Sequence, residues 1–432
     1  MDYLRFLWRC TCLAFEGDWR YYLWMGVLTV ISLLGLNAYA KQIVHGLVTT
    51  GMSDQVSWGV YIANFTFLVG VAAAAVMLVI PVYIYKNEEL EDLVIFGELL
   101  AVAAILMCLA FVTVDLGRPD RFWHLIPGVG KFNFPGSMLS WDVIVLNGYL
   151  LLNVHICGHL LYSRYQGKHP TKWFYIPFVF IGMVWAISIH TVTAFLYVGL
   201  GGRPFWNSAI VGPRFIASAF TAGPALIILA LRVIRKVTDY HIPDRALLTL
   251  RGIVQVSMLI NVFLLFNEIF KEFYTDSLHV ASSKYLFFGL HGFHGLNPWI
   301  WTAIGCNLTS MVILLLPVSR GVRFLDVACV LAIVGIWIEK GMGLVIPAFI
   351  PTPLGEIVEY TPTLNETLVC FGIWAFGLMC YTVFLKMSVP ILQGRLLKAN
   401  EPLPDSPDSD VQLREFLKPR GPSVPHVEST HH

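Results

Sequence analysis

Long hydrophobic runs alternate with polar or aromatic connections along almost the whole chain. A helix needs about 20 residues to cross the roughly 30 Å of bilayer hydrocarbon, and ten of the runs reach that length. The predicted spans cover 20–46, 58–85, 93–114, 140–163, 173–200, 212–233, 250–273, 296–317, 322–347 and 365–391. The pattern therefore predicts an all-α polytopic membrane protein with ten transmembrane helices.

The composition agrees with this interpretation and excludes several others. Of the 432 residues, 56% are hydrophobic and only 13% are charged, whereas soluble domains carry about 25% charged residues. Disordered proteins, coiled coils, nucleic-acid-binding modules and ordinary cytosolic enzymes are excluded on that ground. The net charge of +1 gives no long-range field that would attract a polyanion.

Lys and Arg residues are concentrated in the connections on the side of both termini, and we expect none of them deep within a span. Because such residues favour the cytoplasmic side, both termini are predicted to be cytoplasmic in a prokaryotic inner membrane. The predicted domains are an interfacial or cytoplasmic segment at 1–19, the membrane domain at 20–391 and a polar cytoplasmic tail at 392–432. The long aromatic connections at 115–139, 274–295 and 348–364 lie on the opposite, outer side, which we take to be the functional side.

The eight cysteines are mostly scattered through apolar runs, and no Cys-x-x-Cys pair occurs. Ferredoxin-type, zinc-ribbon and covalent haem motifs are therefore missing from the sequence. We expect no iron–sulfur cluster in this chain. If the protein transfers electrons, the metal centres belong to partner chains.

Polar residues in the outer halves of the spans are candidates for a functional site, because ionisable groups are costly in a bilayer. Tyr61, Asn64, Asp115, Asp142 and His190 could meet in one pocket below the outer surface. A histidine near carboxylates is suited to proton-coupled chemistry. Alternatively, the two aspartates cap helices or pair with nearby arginines, and His190 is satisfied by a helix carbonyl.

Other polar residues have simpler interpretations. His155 and His159 suggest haem, but His155 and His190 are predicted to differ in depth by roughly 12 Å at about 1.5 Å per residue, too far apart to share one iron. We therefore predict no haem. Glu268, Lys271 and Glu272 have the spacing of intrahelical ion pairs near the water boundary, and small-residue runs at 70–75 and 218–225 have the composition of helix-packing faces.

Three segments together resemble a known family, and a fourth, at 337–366, narrows the match to one branch of it. They are WGVYIANFTFLVGVAAAA at 58–75, DLGRPDRFWHLI at 115–126 followed by SWDV at 140–143, HTVTAFLYVGLGGRPFWNSAIVGPRFIASAFTAGPAL at 190–226, and WIEKGMGLVIPAFIPTPLGEIVEYTPTLNE at 337–366. The chain resembles the NrfD/PsrC family of quinone-interacting membrane subunits, most closely its ten-helix branch of DsrP-type subunits from DsrMKJOP-type complexes.

The resemblance implies two four-helix bundles, spans 2–5 and 6–9, flanked by spans 1 and 10. It also implies that the chain has no redox cofactor of its own and binds a quinone, menaquinone or another, near an extracytoplasmic iron–sulfur subunit. Multihaem cytochrome and further membrane subunits are implied as partners. Family members place an Asn and a His on the first bundle helix at the quinone; here that helix offers Tyr61 and Asn64, with Phe65 where the His would fall, and His190 is the nearest substitute.

The resulting hypothesis is a subunit of a quinone-linked respiratory complex in sulfur or sulfite metabolism, with coupled proton transfer. Tyr61 or Asn64 would hold the quinone head group and His190 would relay protons with Asp142 or Asp115, while Trp141 and Arg118 would complete the pocket. Whether the chain counts as an enzyme is left open. The alternatives are a proton-translocating or secondary-transport bundle, whose spans should be broken near the centre, and a structural anchor for redox subunits.

Overall fold

The computed structural model describes residues 2–87, 90–275 and 280–398. Almost all of the predicted tail at 392–432 therefore lies outside the described residues. Within the described ranges the regular structure is helical, without named strands. The α-helices are α1 (Asp2–Ala14), α2 (Trp19–His45), α3 (Val60–Ala72), α4 (Val76–Tyr83), α5 (Glu91–Asp115), α6 (Met138–Tyr165), α7 (Lys172–Val198), α8 (Val211–Val237), α9 (Asp244–Thr275), α10 (Val280–Phe287), α11 (Asn297–Leu315), α12 (Val322–Lys340) and α13 (Leu364–Leu392).

The helices pack as two bundles and a flanking pair. The first bundle contains α3 with α4, α5, α6 and α7, and the second contains α8, α9, α11 and α12. Helices α2 and α13 pack against each other at the side of the first bundle. This arrangement confirms the predicted all-helical polytopic fold. We call the face at which α2 begins and α13 ends the inner face, and the opposite one the outer face.

The structure differs from the prediction in the number of clear spans. Nine helical segments of the described chain are long and apolar enough to cross a membrane, against ten expected. The segment outside this count is α12, which has 19 residues and contains Arg323, Asp326, Glu339 and Lys340. Its charges reduce the apolar length, although the helix packs within the second bundle against α8 and α11.

The second predicted span is also interrupted. Its 24 residues, Val60–Tyr83, comprise α3 and α4 joined by a 3-10 turn at Ala73–Ala75. The run of small residues there packs against the small-residue run of α8, as expected for helix packing. A Cβ atom added to Gly223 would lie 2.5 Å from the Cβ of Ala74, so the two helices approach as closely as their backbones allow.

Helices α2 and α13 of the flanking pair also approach each other closely at glycine residues. A Cβ atom on Gly35 of α2 would lie 2.5 Å from the Cα of Gly372 in α13. Most of α2 otherwise exposes apolar side chains, and only 17% of its most apolar window is buried. In a bilayer such a surface faces lipid, so contact with α13 positions this helix.

Helix α1 forms within the predicted interfacial segment. The apolar side chains of Tyr3, Leu4, Leu7 and Trp8 are exposed, while Phe6 packs against Tyr162 of α6. The helix therefore offers an apolar surface beside the inner face, and its position on a membrane stays a prediction.

Candidate functional site

Tyr61 lies in a buried hydrogen-bonded chain at the outer end of the first bundle. Its hydroxyl donates to the side-chain oxygen of Gln42 at 2.7 Å, and the Gln42 amide donates to the carbonyl of Val114 at 2.6 Å. Tyr61 is fully buried. These bonds connect α2, α3 and α5 next to Asp115. Gln42 therefore holds Tyr61 in place, a role that was not predicted from the sequence.

Asp115 ends α5, and its Oδ1 atom is buried without a hydrogen-bond partner. Its carboxyl group interacts electrostatically with Glu366 and Tyr61. Arg118 does not pair with it, because Arg118 binds Asp120 at 2.9 Å. The predicted alternative in which Arg118 neutralises Asp115 is therefore wrong, and Asp115 keeps an acceptor available.

Glu366, in contrast, is fully engaged at the start of α13. It accepts hydrogen bonds from the Tyr360 hydroxyl at 2.9 Å and from the backbone N–H groups of Gly51 and Thr363 at 2.8 Å each. Burial and the neighbouring Glu366 carboxylate raise the pKa of Tyr360, so its hydroxyl keeps its proton. This cluster fixes the outer loops to the first bundle.

Asp142 is buried in the first turns of α6, where its Oδ1 lies 3.2 Å from the hydroxyl of Thr193 on α7. Tyr197, one turn further along α7, is hydrogen-bonded to Thr66 of α3. The Tyr197 hydroxyl interacts electrostatically with both Asp142 and Asp115. Tyr197 therefore lies near both predicted carboxylates. We call Tyr61, Asp115, Asp142, Thr193 and Tyr197 the outer polar group.

His190 is buried on α7, and its two ring nitrogens have different surroundings. Nδ1 lies 2.8 Å from the carbonyl of Ala186, and Nε2 is buried without a partner. Because Nδ1 must carry the proton to donate to a carbonyl, Nε2 is an acceptor in the neutral ring. The predicted bond of His190 to a helix carbonyl is therefore present, while its contact with a ligand stays a prediction. It lies seven residues, or about 10 Å along the helix, before Tyr197.

Asn64 is buried, and both ends of its amide are in use. Its oxygen accepts hydrogen bonds from the indoles of Trp337 at 3.0 Å and Trp374 at 2.9 Å. Its nitrogen donates to the Val60 carbonyl at 2.8 Å and to the Cys370 sulfur at 3.6 Å. Asn64 thus joins α3 to α12 and α13, a role that no local sequence signal indicates.

Aromatic side chains cover the polar group on its outer side. The ring centroid of Trp206 lies 5.1 Å from that of Tyr197, 5.5 Å from that of Trp58 and 5.2 Å from that of Phe349. The guanidinium of Arg203 lies 4.5 Å from the Phe349 ring centroid. These rings separate the carboxylates from water at the outer face.

Two of the predicted site residues lie apart from this buried group. The Trp141 indole donates to the Pro135 carbonyl at 2.9 Å, and its ring packs against Phe134 on the outer loop. The Arg118 side chain is 66% exposed in its pair with Asp120, and its hydrogen bond lowers the pKa of that carboxyl. The structure therefore places Tyr61, Asp115 and Asp142 in the outer polar group. It buries Asn64 and His190 on the same helices as members of that group, and it leaves Trp141 and Arg118 at the surface.

The second bundle contains a buried ionic network that the sequence only partly indicated. Arg214 of α8 binds Glu268 of α9 and lies 2.8 Å from Glu339 of α12. The other Glu339 oxygen accepts from Asn261 at 3.1 Å and Asn307 at 2.8 Å. The prediction that Glu268 pairs within its own helix is wrong, because Arg214 from α8 reaches it.

Two cations at helix ends are nevertheless buried within the protein, Arg214 in the first turn of α8 and Lys340 at the end of α12. Arg214 is 5% exposed and Lys340 is 3% exposed. The Lys340 ammonium lies 3.5 Å from Glu339 and 5.5 Å from the ring centroid of Phe215. Lys271 follows the prediction, since it pairs with Glu272 at 2.8 Å.

His155 and His159 lie against aromatic side chains of α7. The His155 ring centroid is 4.5 Å from that of Phe178, and the His159 centroid is 5.2 Å from that of Phe174. Within the described part of the chain, no three His, Cys, Asp or Glu side chains converge as ligands for a metal ion.

Comparison with known proteins gives consistent matches. A family model described as "Polysulphide reductase, NrfD" matches residues 48–350. A putative membrane subunit of the dimethyl sulfoxide reductase of Halobacterium salinarum is 25% identical, with 82% of this chain and 88% of the relative covered. The Hdr-like menaquinol oxidoreductase integral membrane subunit of Archaeoglobus fulgidus is 22% identical, with 86% and 94% covered.

A third relative is the menaquinone reductase integral membrane subunit of Nitratidesulfovibrio vulgaris. It is 23% identical, with 80% of this chain and 86% of the relative covered. The closer likeness to DsrP-type subunits stays a prediction. The family match spans well over half of the chain and includes both bundles, so this multi-pass membrane protein belongs to the NrfD polysulphide reductase family.

Proposed function

We propose that this chain is the quinone-binding membrane subunit of a respiratory redox complex. It would exchange electrons between a menaquinone pool and an extracytoplasmic iron–sulfur subunit, with both termini in the cytoplasm and with coupled proton transfer. Two relatives named as menaquinol oxidoreductase and menaquinone reductase subunits support the proposal. The observation that carries it is the buried polar group at the outer end of the first bundle.

The available acceptors in this part of the first bundle match the chemistry of a hydroquinone. Asp115 Oδ1 and His190 Nε2 are buried acceptors without partners, which are costly unless a donor reaches them. A hydroquinone carries two O–H donors and gives up two electrons and two protons when it is oxidised. Tyr61 and Tyr197 add buried hydroxyl groups on α3 and α7. The residues therefore fit such a ligand.

Each residue has a distinct role in this proposal. His190 Nε2 accepts a proton, and Asp142 and Asp115 pass protons outward past Tyr197. Tyr61 is oriented by Gln42, and its oxygen remains able to accept one hydrogen bond. Asn64 supports the site but does not bind the head group, because both ends of its amide are already engaged. The partner's cluster would dock over the outer loops at 115–139 and 348–364.

The test uses the purified complex and menaquinol-driven reduction of its redox partner. Asp142→Asn and His190→Phe should lower the rate by about 100-fold or more, since positioned acid–base groups contribute at least that much. The matched control is Ser188→Ala on α7, because Ser188 donates only to the Val184 carbonyl of its own helix at 2.9 Å and should leave the rate unchanged. Assembly is checked by identifying the subunits that co-purify with each variant.

Two outcomes would contradict the proposal. Normal turnover in both variants would remove the assigned roles of Asp142 and His190. Assembly of a wild-type complex that binds no menaquinol analogue would support a purely structural anchor instead. Participation in sulfur or sulfite metabolism, with multihaem cytochrome partners, is part of the proposal and is tested by identifying the co-purified subunits.

A further inference from the structure

Glu98 is a buried carboxyl group in the inner half of the first bundle, and sequence reasoning did not identify it. It lies on α5, seven residues or about 10 Å from the inner end of the helix and 17 residues or about 25 Å from Asp115. Its side chain is 1% exposed. Glu98 is therefore separate from the outer polar group.

Among the described residues, the surroundings of Glu98 contain only weak hydrogen-bond donors and no cation. The thiol of Cys157 donates to Glu98 Oε2 at 3.3 Å, and within the described ranges no ion pair involves this carboxyl. The titratable side chains around it are neutral when protonated. They are Tyr83 of α4, Tyr149 and Cys157 of α6, and Tyr381 of α13, which donates to the Phe96 carbonyl.

This arrangement contrasts with the carboxylates of the second bundle. Glu339 and Glu268 both contact Arg214, so a change in their charge would break an ion pair. Glu98 can gain or lose a proton without breaking one. Of these buried carboxyl groups, Glu98 is thus the one suited to exchange a proton.

A small cavity adjoins Glu98 at the interruption in the second span. It has a volume of about 10 Å³ and is lined by Glu98, Tyr149, Asn153, Ala75 and Val76. A space of that size holds about one water molecule, and the polar lining offers the partners that a water needs. Ala75 ends the 3-10 turn between α3 and α4, and 3-10 turns within helices often mark hinges.

A short route leads from Glu98 toward the inner face. Tyr83 interacts electrostatically with Glu98, and its ring centroid lies 6.3 Å from that of Tyr175. Both tyrosines interact electrostatically with the exposed Glu91 at the start of α5. Hydroxyl groups can both donate and accept, so the two tyrosines can pass a proton between Glu91 and Glu98.

We propose that Glu98 is a proton-exchange site that connects the interior of the first bundle to the inner aqueous phase. One proton moves from water past Tyr83 and Tyr175 to the Glu98 carboxylate and returns by the same route. No other reactant is required. This site does not depend on quinone binding, and it lies beside the interruption of the second span at Ala73–Ala75.

The test combines infrared spectroscopy and carbodiimide labelling of the full chain in lipid nanodiscs. A protonated carboxyl C=O band should shift when H₂O is replaced by D₂O, and this band should be missing in Glu98→Gln. Dicyclohexylcarbodiimide, which reacts with protonated carboxyl groups in apolar surroundings, should label Glu98 in preference to Glu339. The matched control Glu272→Gln, at a carboxylate that pairs with the half-exposed Lys271, should keep both signals.

A second variant tests the proton route, and it keeps the proposal testable if Glu98→Gln does not fold. Tyr83→Phe keeps the carboxyl group, so the band should remain while its exchange slows by about tenfold or more, because a proton-relay hydroxyl is lost. An unchanged band in folded Glu98→Gln, or unchanged exchange in Tyr83→Phe, would overturn the proposal. Protection of Glu98 from labelling by sodium ions would assign the site to a metal cation and overturn it as well. Loss of quinol oxidation with normal exchange would instead affect only the proposed function.

Discussion

Replacing Asn64 by Leu tests whether this residue supports the structure or binds a ligand. The substitution leaves the indole N–H groups of Trp337 and Trp374 without their acceptor. An unpaired buried donor costs about 1–3 kcal/mol, so the expected loss in the free energy of unfolding is about 2–6 kcal/mol. For a chain of 432 residues this corresponds to a fall in Tm of about 2–6 °C, since the unfolding entropy scales with length.

The assay is thermal unfolding in nanodiscs followed by tryptophan fluorescence. Ultraviolet resonance Raman spectra add a direct readout, because an indole band reports hydrogen bonding of the N–H group. The matched control is Asn147→Leu, since Asn147 is exposed on α6 and donates only to the Val143 carbonyl of its own helix at 2.8 Å. The control should leave Tm and the indole band unchanged.

A double-mutant cycle with Trp374→Phe isolates one of the two bonds. Removal of the indole donor should make Asn64→Leu less destabilising by about 1–2 kcal/mol, because residues that share a hydrogen bond are not additive. The reasoning is refuted if Asn64→Leu is no more destabilising than Asn147→Leu. It is also refuted if the variant is stable but no longer binds menaquinol analogues, which would make Asn64 a head-group ligand.

Two further changes test the helix contacts. Gly223→Ala should lower Tm, because the new Cβ would lie 2.5 Å from that of Ala74. The control is Gly252→Ala, because a Cβ added there would have no neighbour within 4 Å. It should raise the free energy of unfolding by up to about 1 kcal/mol, since Ala favours the helix more than Gly does. Equal effects of the two would argue against the close crossing. Glu339→Gln should destabilise the protein by about 3–5 kcal/mol in thermal unfolding, because it removes one of the carboxylates that neutralise buried Arg214. A loss below about 1 kcal/mol, typical of an exposed ion pair, would contradict that account.

Hydropathy was sufficient to predict the fold because the bilayer requires every spanning segment to satisfy its own backbone. Predictions from hydropathy failed where contacts with other helices offset the free-energy cost of a charged residue or of a break in a helix. Helix α12 contains four charged residues, too many for an isolated span, yet Glu339 and Lys340 at its end lie beside Arg214 within the second bundle. The interruption at Ala73–Ala75 had no Gly or Pro to mark it.

The outer site was predictable in part because its members are polar residues at similar depth in adjacent helices. Asp115, Asp142 and His190 could be named from position alone, whereas the proximity of Tyr197 to the carboxylates depends on how α3, α6 and α7 pack. Arg118 was expected in the pocket because its segment resembles that of the family, but it pairs with Asp120 at the surface.

The sequence by itself determined that the chain is a multi-pass helical membrane protein, approximately where most of its spans lie, and that some polar residues lie within them. These properties follow from local hydrophobicity and helix length. The tertiary structure alone decided which of those residues are neutralised. Glu339 contacts an arginine 125 residues away in sequence, while Glu98, among the described residues, is hydrogen-bonded to a thiol. The function of a buried charge depends on its partners in space, and these come from other helices.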